Sequence, residues 1–597
     1  SFPTRRSSDL GNGGQRRADC AGYGGNNRPC GRADSYHQKR KDKADRGNRE
    51  GQNSKWRGAK RHLCYNRLPM AKSEHWADQT AQRIIKQRGP KDRYTCAAGI
   101  TPSGTVHIGN FREIISVELV SRALKDADVP VRFIYSWDDY DAFRKVPKNM
   151  PNPEALGEFL RKPITDIPDP WGSEESYARA NEVAVEKVLP ELGVHPEYLY
   201  QAERYRASMY AEGIRKALLN VPTIRTILDR YRDKPLPDSW WPISVFSSFT
   251  GKDTTEVLSF DGAYGVTYRC KETGNTEELD LRTTSRVKLL WRIDWPMRWV
   301  FEDVDFEPAG KEHHSAGGSF DTAKAMVQEV YDGKPPATFK YDFISIKGMG
   351  GKISSSLGNV VDLSQVLEIY EPQVVRYLFA GTRPNAEFAI SFDLDVIKIY
   401  EDYDRCERIA FGKEEVGEAR AAKERRTWEL SQIDEIPETM PRQLAFRHLS
   451  SVVQITDGNL DEALKLAGIT DGVSDSELLR LRRRAACAWT WVRKYAPEDY
   501  RFTLVRPDAR KQELSDQELE AVQKLYALVE KGFEGHNEKS LAEAIYAIAE
   551  EVGLEPKNLF ALFYRVLVNN TKGPRLAGFL LTVGAPRIEA ILGNYVS

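Results

Sequence analysis

The stretch RYTCAAGI-TPSGTVHIGN occupies residues 93–110 and decides the fold. Residues 93–100 form a short run of β-forming and small residues, which predicts a buried strand. TPSG at 101–104 has turn chemistry, and apolar spacing from His107 onward predicts a helix. VRFIY at 131–135 predicts a second strand. Two strands joined by a helix form a βαβ unit, so the sequence predicts an α/β fold with a Rossmann-like parallel sheet.

The turn inside this unit is a candidate phosphate site. Backbone N–H groups and the helix dipole attract anions at a helix N-terminus. Small residues allow a nucleotide to approach the backbone, and His107 offers a further donor to a phosphate oxygen. Taken alone, a His-x-Gly turn more often has a structural role.

A second candidate loop, GMGGKISSS at 348–356, follows a strand predicted from YDFISIK at 341–347. One lysine and three hydroxyls on a Gly-rich loop suit the clamping of a triphosphate during displacement. Taken alone, the segment is more simply a flexible surface loop with an N-cap serine.

Composition and patterning divide the rest of the chain. Residues 240–310 are rich in Trp, Phe and Thr with short alternations, whereas residues beyond 441 have helical periodicity and no convincing strand. We expect the first half of a catalytic domain with a helical insertion at 70–235, a small mixed connective insertion subdomain at 236–310, the second half of the catalytic domain at 311–411, a charged linker at 412–440 and an all-α domain at 441–597.

The formal net charge of zero is an average over unlike parts. Residues 1–69 hold 17 Lys and Arg against 6 Asp and Glu, and they lack Ile, Val and Met. Such a segment buries too little apolar surface to fold, so we expect a disordered basic leader. It reads as a nucleic-acid-binding tail, as a transit peptide, or as a non-native translation artefact before a start at Met70. We favour the artefact because residues 1–10 resemble a translated sequencing adapter.

The composition excludes several classes of protein. No stretch of about 18 apolar residues is present, which argues against a membrane protein. The seven cysteines of 597 residues do not form a disulfide scaffold. A cytoplasmic enzyme, monomeric and without a membrane partner, is the expectation.

The two loops in this order resemble the two signatures of class I aminoacyl-tRNA synthetases, known by their letters HIGH and KMSKS. The first reads HIGN at 107–110 and the second KISSS at 352–356. Ser355 replaces the second lysine of the family motif, which halves the positive charge of the clamp, so another cation such as Mg²⁺ or an arginine would compensate. The resemblance implies an ATP site at Pro102, Ser103, Gly104, His107, Gly109, Asn110 and Lys352, with catalytic roles for His107, Asn110, Lys352, Ser354, Ser355 and Ser356.

Within the class, residues from about 75 to 597 resemble the archaeal-type class I lysyl-tRNA synthetases. The similarity rests on GITPSG with NFRE, on WDDYD at 137–141, on WRIDWPMRW at 291–299 and on GKEH at 310–313. The resemblance implies a C-terminal anticodon-binding domain. It also implies a two-step reaction, in which ATP and lysine give lysyl-adenylate and the lysyl group then passes to the terminal adenosine of the lysine transfer RNA.

A lysine substrate needs an aromatic wall for its stem and a carboxylate or an aromatic face for its cation. Trp291, Trp295, Tyr341 and Asp294 supply those types, and a buried structural cluster is the alternative. Gly99, Thr101 and His313 match family positions that contact the amino acid. Asp138 follows a predicted parallel strand, where it could hold the substrate ammonium or Mg²⁺, or cap the next helix.

The insertion holds Cys270 without a second cysteine at chelating distance, so we predict no structural zinc and no protein metal site. Transfer RNA would need local basic clusters. The candidates are the run RLRRR at 480–484, the pair Arg493 and Lys494, and KERR at 423–426, with solvated helix faces as the alternative. Trp489, Trp491, Phe560, Phe563 and Tyr564 are candidates to stack on bases, although their helical spacing is more typical of a core.

Three other functions are alternatives to lysine–tRNA ligation. Another class I synthetase, glutamyl or arginyl, would need a different pocket; a glutamate pocket requires an arginine near the substrate side chain. A nucleotidyltransferase does not need the large helical C-terminal region. A non-catalytic RNA-binding paralogue is disfavoured by the presence of both signatures, although Ser355 leaves room for it.

Overall fold

The computed structural model describes residues 75–147, 150–347, 361–433, 435–470 and 472–596. The strands are β1 Tyr94–Ile100, β2 Val131–Trp137, β3 Glu197–Tyr200, β4 Ile243–Val245, β5 Thr255–Phe260, β6 Gly265–Cys270, β7 Thr276–Asp280, β8 Val287–Leu289, β9 Val304–Phe306, β10 Ala309–Gly310, β11 Lys340–Tyr341, β12 Ile344–Lys347 and β13 Phe388–Ser391. The predicted leader, residues 1–69, and the loop at 348–356 lie outside the described residues.

The helices alternate with the strands in the first part of the chain and follow one another in the last. They are α1 Trp76–Arg88, α2 Ile108–Lys125, α3 Pro153–Gly157, α4 Tyr177–Glu186, α5 Gln201–Arg206, α6 Ala211–Leu219, α7 Val221–Asp229, α8 Trp291–Phe301, α9 Ser319–Glu329, α10 Leu363–Leu367, α11 Pro372–Gly381, α12 Asp395–Ala410, α13 Glu418–Ser431, α14 Phe446–Ile455, α15 Leu460–Leu466, α16 Asp475–Lys494, α17 Asp516–Glu530, α18 Glu538–Val552, α19 Pro556–Val568, α20 Leu576–Val583 and α21 Ala585–Leu592.

The central sheet is parallel, as the βαβ pattern predicts. Its strand order is β3-β2-β1-β9, and β1 pairs with β2 in register from Tyr94 opposite Val131 to Ile100 opposite Trp137. The chain runs on from β9 to β10, which pairs in parallel with β11, and β12 pairs in parallel with β13. Strand β13 thus belongs to the part expected as the second half of the catalytic domain.

Both faces of the sheet are covered, which explains why β1 is a continuous buried run rather than an alternating one. Ile115 and Leu119 of α2 belong to the same apolar core as Cys96 and Ala98. On the opposite face, Ala97 packs in a separate cluster that includes Trp299 of α8 and Phe320, Ala323 and Val327 of α9. The carboxyl ends of β1, β2 and β3 therefore form an edge framed by α2 and α8.

The insertion expected at 236–310 contains two small antiparallel sheets. Strands β5, β6 and β7 form a meander, and β4 pairs with β8. The last part of that range departs from the expectation, because β9 pairs with β1 in the central sheet. The range also includes α8, whose residues pack against that sheet. The domain boundaries stay predictions.

The segment expected as a charged linker, 412–440, contains helix α13. Trp428 and Leu430 of this helix are buried in the main core, and Arg376 of α11 donates to the Leu430 carbonyl oxygen. The sequence signal was misleading because the charged residues cover the outer face while a few apolar ones anchor the inner face. From 441 to 596 the described residues form helices, in agreement with the all-α expectation.

Candidate active site

The HIGN turn is built as a helix cap. His107 is the N-cap of α2: its Nδ1 accepts from the Gly109 backbone N–H at 3.1 Å, and Asn110 Oδ1 accepts from the His107 backbone N–H at 3.1 Å. Because Nδ1 accepts, the proton of the neutral imidazole lies on Nε2. The turn thus orients one imidazole N–H donor at a helix N-terminus, where anions are stabilised.

Gly109 is required by the position of the His107 ring. A Cβ at residue 109 would lie 2.9 Å from both Cε1 and Nδ1 of His107. The glycine therefore lets the imidazole fold back over the first turn of the helix.

The segment that follows the predicted KISSS loop lies against the HIGN turn. The Ile108 backbone N–H donates to the Val361 carbonyl oxygen at 3.0 Å, and His107 and Asp362 form an antiparallel bridge. Strand β12 ends at Lys347, on the other side of the loop. Lys352, Ser354, Ser355 and Ser356 lie outside the described residues, so their roles stay predictions.

A cavity of about 220 Å³ opens at the carboxyl edge of the sheet, and we call it the sheet-edge cavity. Residues that end or follow three parallel strands line it, as expected for ligand sites in such sheets. Of the residues expected to contact lysine, the cavity brings together Gly99, Thr101, Asp138, Trp291, Trp295 and His313. Pro102, Ser103 and Gly104 form the neighbouring turn, where the Ser103 carbonyl oxygen accepts from the Tyr177 hydroxyl at 2.9 Å.

Two of the expected contact residues do not line the cavity. Asp294 is 1% exposed, accepts from the Tyr205 hydroxyl and pairs with Arg298 Nε at 3.1 Å. Tyr341 donates its hydroxyl to Glu113, which does line the cavity. Both residues therefore support the wall from behind rather than facing a ligand.

Asp138 is already occupied by a cation. Its Oδ1 lies 2.7 Å from Arg298 Nη1, and the same nitrogen donates to Ser136 Oγ at 2.6 Å. Although burial lowers the pKa of Arg298, Asp138 and Asp294 raise it well above its usual value. The arginine stays charged and is neutralised by two carboxylates, which leaves Asp138 less able to bind a substrate ammonium.

Two carboxyls that sequence reasoning missed face the cavity without a cation. Glu113 accepts from the Gly99 backbone N–H at 3.0 Å and from Tyr341. Glu307 accepts from the Trp295 indole N–H at 2.9 Å and from that of Trp299. Neither forms an ion pair with any residue the structure describes. Glu113 belongs to the motif NFRE, but nothing in that motif indicates that its side chain faces a ligand. Glu307 follows a short apolar run and belongs to no motif.

The electrostatics of these carboxyls differ from those of a surface acid. Burial raises the pKa of Glu113 to about 8, and burial also raises the pKa of Glu307. Burial lowers the pKa of His313, whose Nδ1 lies 2.6 Å from Ser319 Oγ. The cavity therefore offers neutral aromatic surface and two carboxyls that a bound cation would ionise.

The arginine run at 480–484 is largely structural. Arg484 is 1% exposed and pairs with Glu371 at 2.6 Å and with Asp404 at 2.8 Å. Arg480 pairs with Glu407 at 2.9 Å. These two arginines are unavailable to RNA, whereas Arg482 remains half exposed on the outer face of α16.

The other proposed RNA contacts divide in the same way. Arg426 pairs with Asp78 and Asp126, and Lys494 pairs with Glu368, while Arg493 lies over the Trp489 ring. Trp491 and Phe563 are fully buried, as the helical spacing suggested, and Tyr564 is 8% exposed. Phe560 packs against Tyr546 at 5.3 Å. Trp491, Phe563 and Tyr564 are therefore core residues rather than surfaces on which a base could stack.

Cys270 lies buried at the end of β6. Within the described parts of the chain, no group of three or more His, Cys, Asp or Glu side chains is arranged to hold a metal ion. The absence of zinc stays a prediction. Among the described residues no single helix is long and apolar enough to cross a membrane; one pair, Leu576–Val583 with Ala585–Tyr595, passes by length and composition together but bends by 101° at its break.

A parallel sheet, a HIGN turn at its carboxyl edge and a helical C-terminal region are features of class I aminoacyl-tRNA synthetases. A family model described as tRNA synthetases class I (K), where K is the letter for lysine, matches residues 74–434. The chain belongs to this class I lysyl-tRNA synthetase family.

Curated relatives match nearly the whole of their own length. A lysine–tRNA ligase of Borrelia garinii subsp. bavariensis is 50% identical over 525 residues, which cover 88% of this chain and 100% of the relative. A lysine–tRNA ligase of Pyrococcus horikoshii is 39% identical over 520 residues, covering 85% and 97%. A solved glutamate tRNA ligase from Elizabethkingia meningosepticum matches 84% of this chain and 99% of its own at 13% identity, with a TM-score of 0.37.

Proposed function

We propose that this chain is a lysine–tRNA ligase, which activates L-lysine with ATP and transfers the lysyl group to the 3′-terminal adenosine of the lysine transfer RNA. The observation that carries the proposal is the sheet-edge cavity, with a wall of tryptophans and two buried carboxyls that form no ion pair with any described residue. Family membership and the lysine–tRNA ligases among its relatives support the same activity.

Lysine fits the cavity by charge and shape. It brings two ammonium groups, and Glu113 and Glu307 are two carboxyls without an ion-pair partner among the described residues. Trp291 and Trp295 offer flat apolar surface to the four-carbon stem, whose methylenes gain by leaving water. We assign one carboxyl to each ammonium, in place of the Asp138 and Asp294 contacts expected from the sequence.

Glutamate does not fit the same cavity. A glutamate side chain would meet two further carboxyls, and the arginine that it requires would have to be Arg298. Arg298 is already paired with Asp138 and Asp294. Like charges brought together in a partly buried site are strongly unfavourable, so the cavity selects against an acidic side chain.

Activation would occur between the cavity and the HIGN turn. The lysine carboxylate attacks the α-phosphorus of ATP in line, and pyrophosphate leaves. No covalent enzyme intermediate is needed, so catalysis depends on positioning and on donors placed where charge develops. His107 would donate from Nε2 to a phosphate oxygen at the helix N-terminus. Lys352 and the hydroxyls of Ser354, Ser355 and Ser356 would clamp the phosphates from the loop.

Mg²⁺ would arrive with ATP, because phosphate oxygens and water are the ligands it prefers. Among the described residues, no group of three or more His, Cys, Asp or Glu side chains is arranged to hold it. Transfer follows when a hydroxyl of the terminal adenosine, the 2′-hydroxyl in this class, attacks the carbonyl carbon of the adenylate and AMP leaves. A cytoplasmic location and a monomeric state stay predictions from the sequence.

The test is lysine-dependent ATP–pyrophosphate exchange, screened against the other amino acids with and without transfer RNA, followed by charging of the RNA with labelled lysine. We expect exchange and charging with lysine. Exchange with a different amino acid alone contradicts the proposal, and the absence of exchange under every condition favours an RNA-binding paralogue.

Lysine analogues assign the two carboxyls. An analogue that lacks the α-amine, 6-aminohexanoate, and one that lacks the ε-amine, norleucine, are tested as inhibitors of the wild type, Glu113→Gln and Glu307→Gln. Norleucine has no ε-ammonium and therefore makes no ion pair with the carboxyl that holds this group. The Gln variant of that carboxyl should thus bind norleucine with the same affinity as the wild type does.

A further inference from the structure

A second cavity, of about 410 Å³, lies beside the sheet-edge cavity. Its charged and aromatic lining consists of Arg144, Arg232, Arg292, Tyr231, Trp240 and Trp291, and we call it the arginine groove. No Asp or Glu is among the described residues that line it. Three cations and three aromatic rings without an acid form a surface for an anionic chain of flat groups.

The groove adjoins the sheet-edge cavity at a shared residue. Trp291, the first residue of α8, lines both the groove and the sheet-edge cavity. The ring of Trp291 lies 6.1 Å from that of His313 on the cavity side, and Arg292 lies over the same indole at 5.1 Å on the groove side. A ligand in the groove therefore continues into the site where the adenylate would form.

The groups of the groove are available to a ligand. Arg144 is exposed and forms neither a hydrogen bond nor an ion pair with any residue the structure describes. Arg232 is half exposed; its Nε donates to the Lys234 carbonyl oxygen at 3.3 Å and lies 3.8 Å from Asp229, within one turn of the chain. Tyr231 is 52% exposed and Trp291 is 38% exposed. Ion pairs of such exposed cations are weak because water screens them. A phosphate can therefore replace solvent here without breaking a buried network.

The backbone beside the groove is shaped to hold one of the rings. Gly317 has φ +72°, and a Cβ there would lie 2.6 Å from Tyr231 Cδ1. Only glycine adopts this backbone conformation without strain and also leaves space for the ring. The Tyr231 ring is thus seated against the loop that precedes α9.

We propose that the arginine groove holds the unpaired 3′ end of the transfer RNA, with its bases against Tyr231, Trp240 and Trp291 and its phosphates beside the three arginines. The assignment rests on the proposed function, because the terminal adenosine must reach the sheet-edge cavity and the unpaired nucleotides before it must leave through a neighbouring opening. Aromatic platforms in a basic groove are the usual means of binding single-stranded nucleic acid, and arginine planes also stack on bases.

The experiment compares two RNAs. Dissociation constants are measured for an intact lysine transfer RNA transcript and for the same transcript lacking its last four nucleotides, with the wild type, Arg144→Ala and Trp240→Ala. Each variant should bind the intact RNA about tenfold more weakly than the wild type does, since one stacked base or phosphate contact is lost. Neither should change affinity for the shortened RNA. Trp240→Phe should retain most of the affinity, because it keeps an aromatic face.

Arg420→Ala is the matched control, because Arg420 is exposed to a similar extent on α13, away from the groove residues in sequence. It should change the two affinities equally or not at all. Arg144 is exposed and has no ion-pair partner in the described part of the chain, so its substitution keeps the test valid if Trp240→Ala disturbs folding.

The outcomes separate the two proposals. Equal losses on both RNAs, or no loss on either, overturn the groove assignment while the wild type still charges its RNA with lysine. A wild type that charges no RNA with lysine overturns the proposed function, whatever the groove variants do.

Discussion

Glu371 and Glu407 in the helical region and Glu113 and Glu307 at the cavity are all carboxyls held largely away from water, yet among the described residues only the first pair forms ion pairs with arginines. Arg484 and Arg480 lie 2.6 and 2.9 Å from Glu371 and Glu407. Around Glu113 and Glu307 the donors are neutral: a backbone N–H, a tyrosine hydroxyl and two indoles.

The difference teaches how to separate structural acids from binding acids. A buried carboxylate with its own arginine contributes to a fixed arrangement of helices and has no charge left for a ligand. A buried carboxyl held only by neutral donors is unfavourable when ionised, so it stays protonated or waits for a cation. The first group should therefore govern stability, and the second should govern lysine affinity.

The largest effect is expected from Arg484→Ala. Removing the arginine leaves Asp404 buried without its cation and Glu371 with only the longer 3.8 Å contact to Arg480, which should lower the free energy of unfolding by about 3–5 kcal/mol. The denaturant midpoint measures the change. Arg482→Ala is the matched control from the same run: its pair with Asp461 is exposed, so we expect a change of less than about 1 kcal/mol. Similar effects of the two substitutions would remove the distinction.

Glu113→Gln should have the opposite profile. The amide keeps the size of the side chain but cannot pair with an ammonium, so lysine should bind about 30- to 150-fold more weakly, which corresponds to about 2–3 kcal/mol. Stability should be unchanged or higher at neutral pH, because an uncompensated buried acid is removed. Calorimetric titration with lysine and a denaturant curve measure the two quantities. Unchanged lysine affinity would exclude Glu113 from the binding site.

The raised pKa of Glu113 predicts a pH dependence with a definite sign. The folded state holds this proton up to about pH 8, whereas the unfolded carboxyl loses it near its ordinary value of 4.5. The folded state thus binds more protons in this window, so its contribution to stability falls as the pH rises from about 4.5 to 8. Lysine affinity should move the other way, because the ammonium needs the ionised carboxylate.

Two measurements check this dependence. Lysine binding at pH 7 should release protons, which appears as a binding enthalpy that changes with the ionisation enthalpy of the buffer. Glu113→Gln should reduce both the proton release and the slope of lysine affinity between pH 6 and 8. Equal proton release in the wild type and the variant would assign the effect to another group, of which Glu307 is the nearest candidate.

The sequence predicted the central features of the fold and one half of the site. The strand–turn–helix at 93–124 appears as β1 and α2 because apolar runs and turn chemistry are local signals. Trp291, Trp295 and His313 were found through motif resemblance, and they line the cavity.

What the sequence missed depends on contacts between distant residues. Glu113 and Glu307 are 194 positions apart, and only the folded sheet brings them to one cavity. The arginines at 480–484 look like an RNA-binding run because a helix alternates buried and exposed positions that a list of charges cannot separate. Likewise, α13 resembled a linker because its few buried apolar residues are outnumbered by charged ones.

The smallest expected effect on stability comes from Gly109→Ala, which tests the HIGN turn. Gly109 lies in the first turn of α2, and alanine is a better helix former than glycine, so the free energy of unfolding should change by less than about 1 kcal/mol. The new Cβ would, however, meet the His107 ring at 2.9 Å and displace it. Because misplacement of a catalytic group by about 1 Å can cost about 100-fold in rate, we expect kcat for lysine-dependent exchange to fall by about tenfold to 100-fold while lysine affinity is retained.

Gly157→Ala is the control for this substitution, since nothing lies within 4 Å of a Cβ at that helical glycine. If Gly109→Ala exchanged at the wild-type rate, the orientation of His107 by this cap would have no part in phosphate binding.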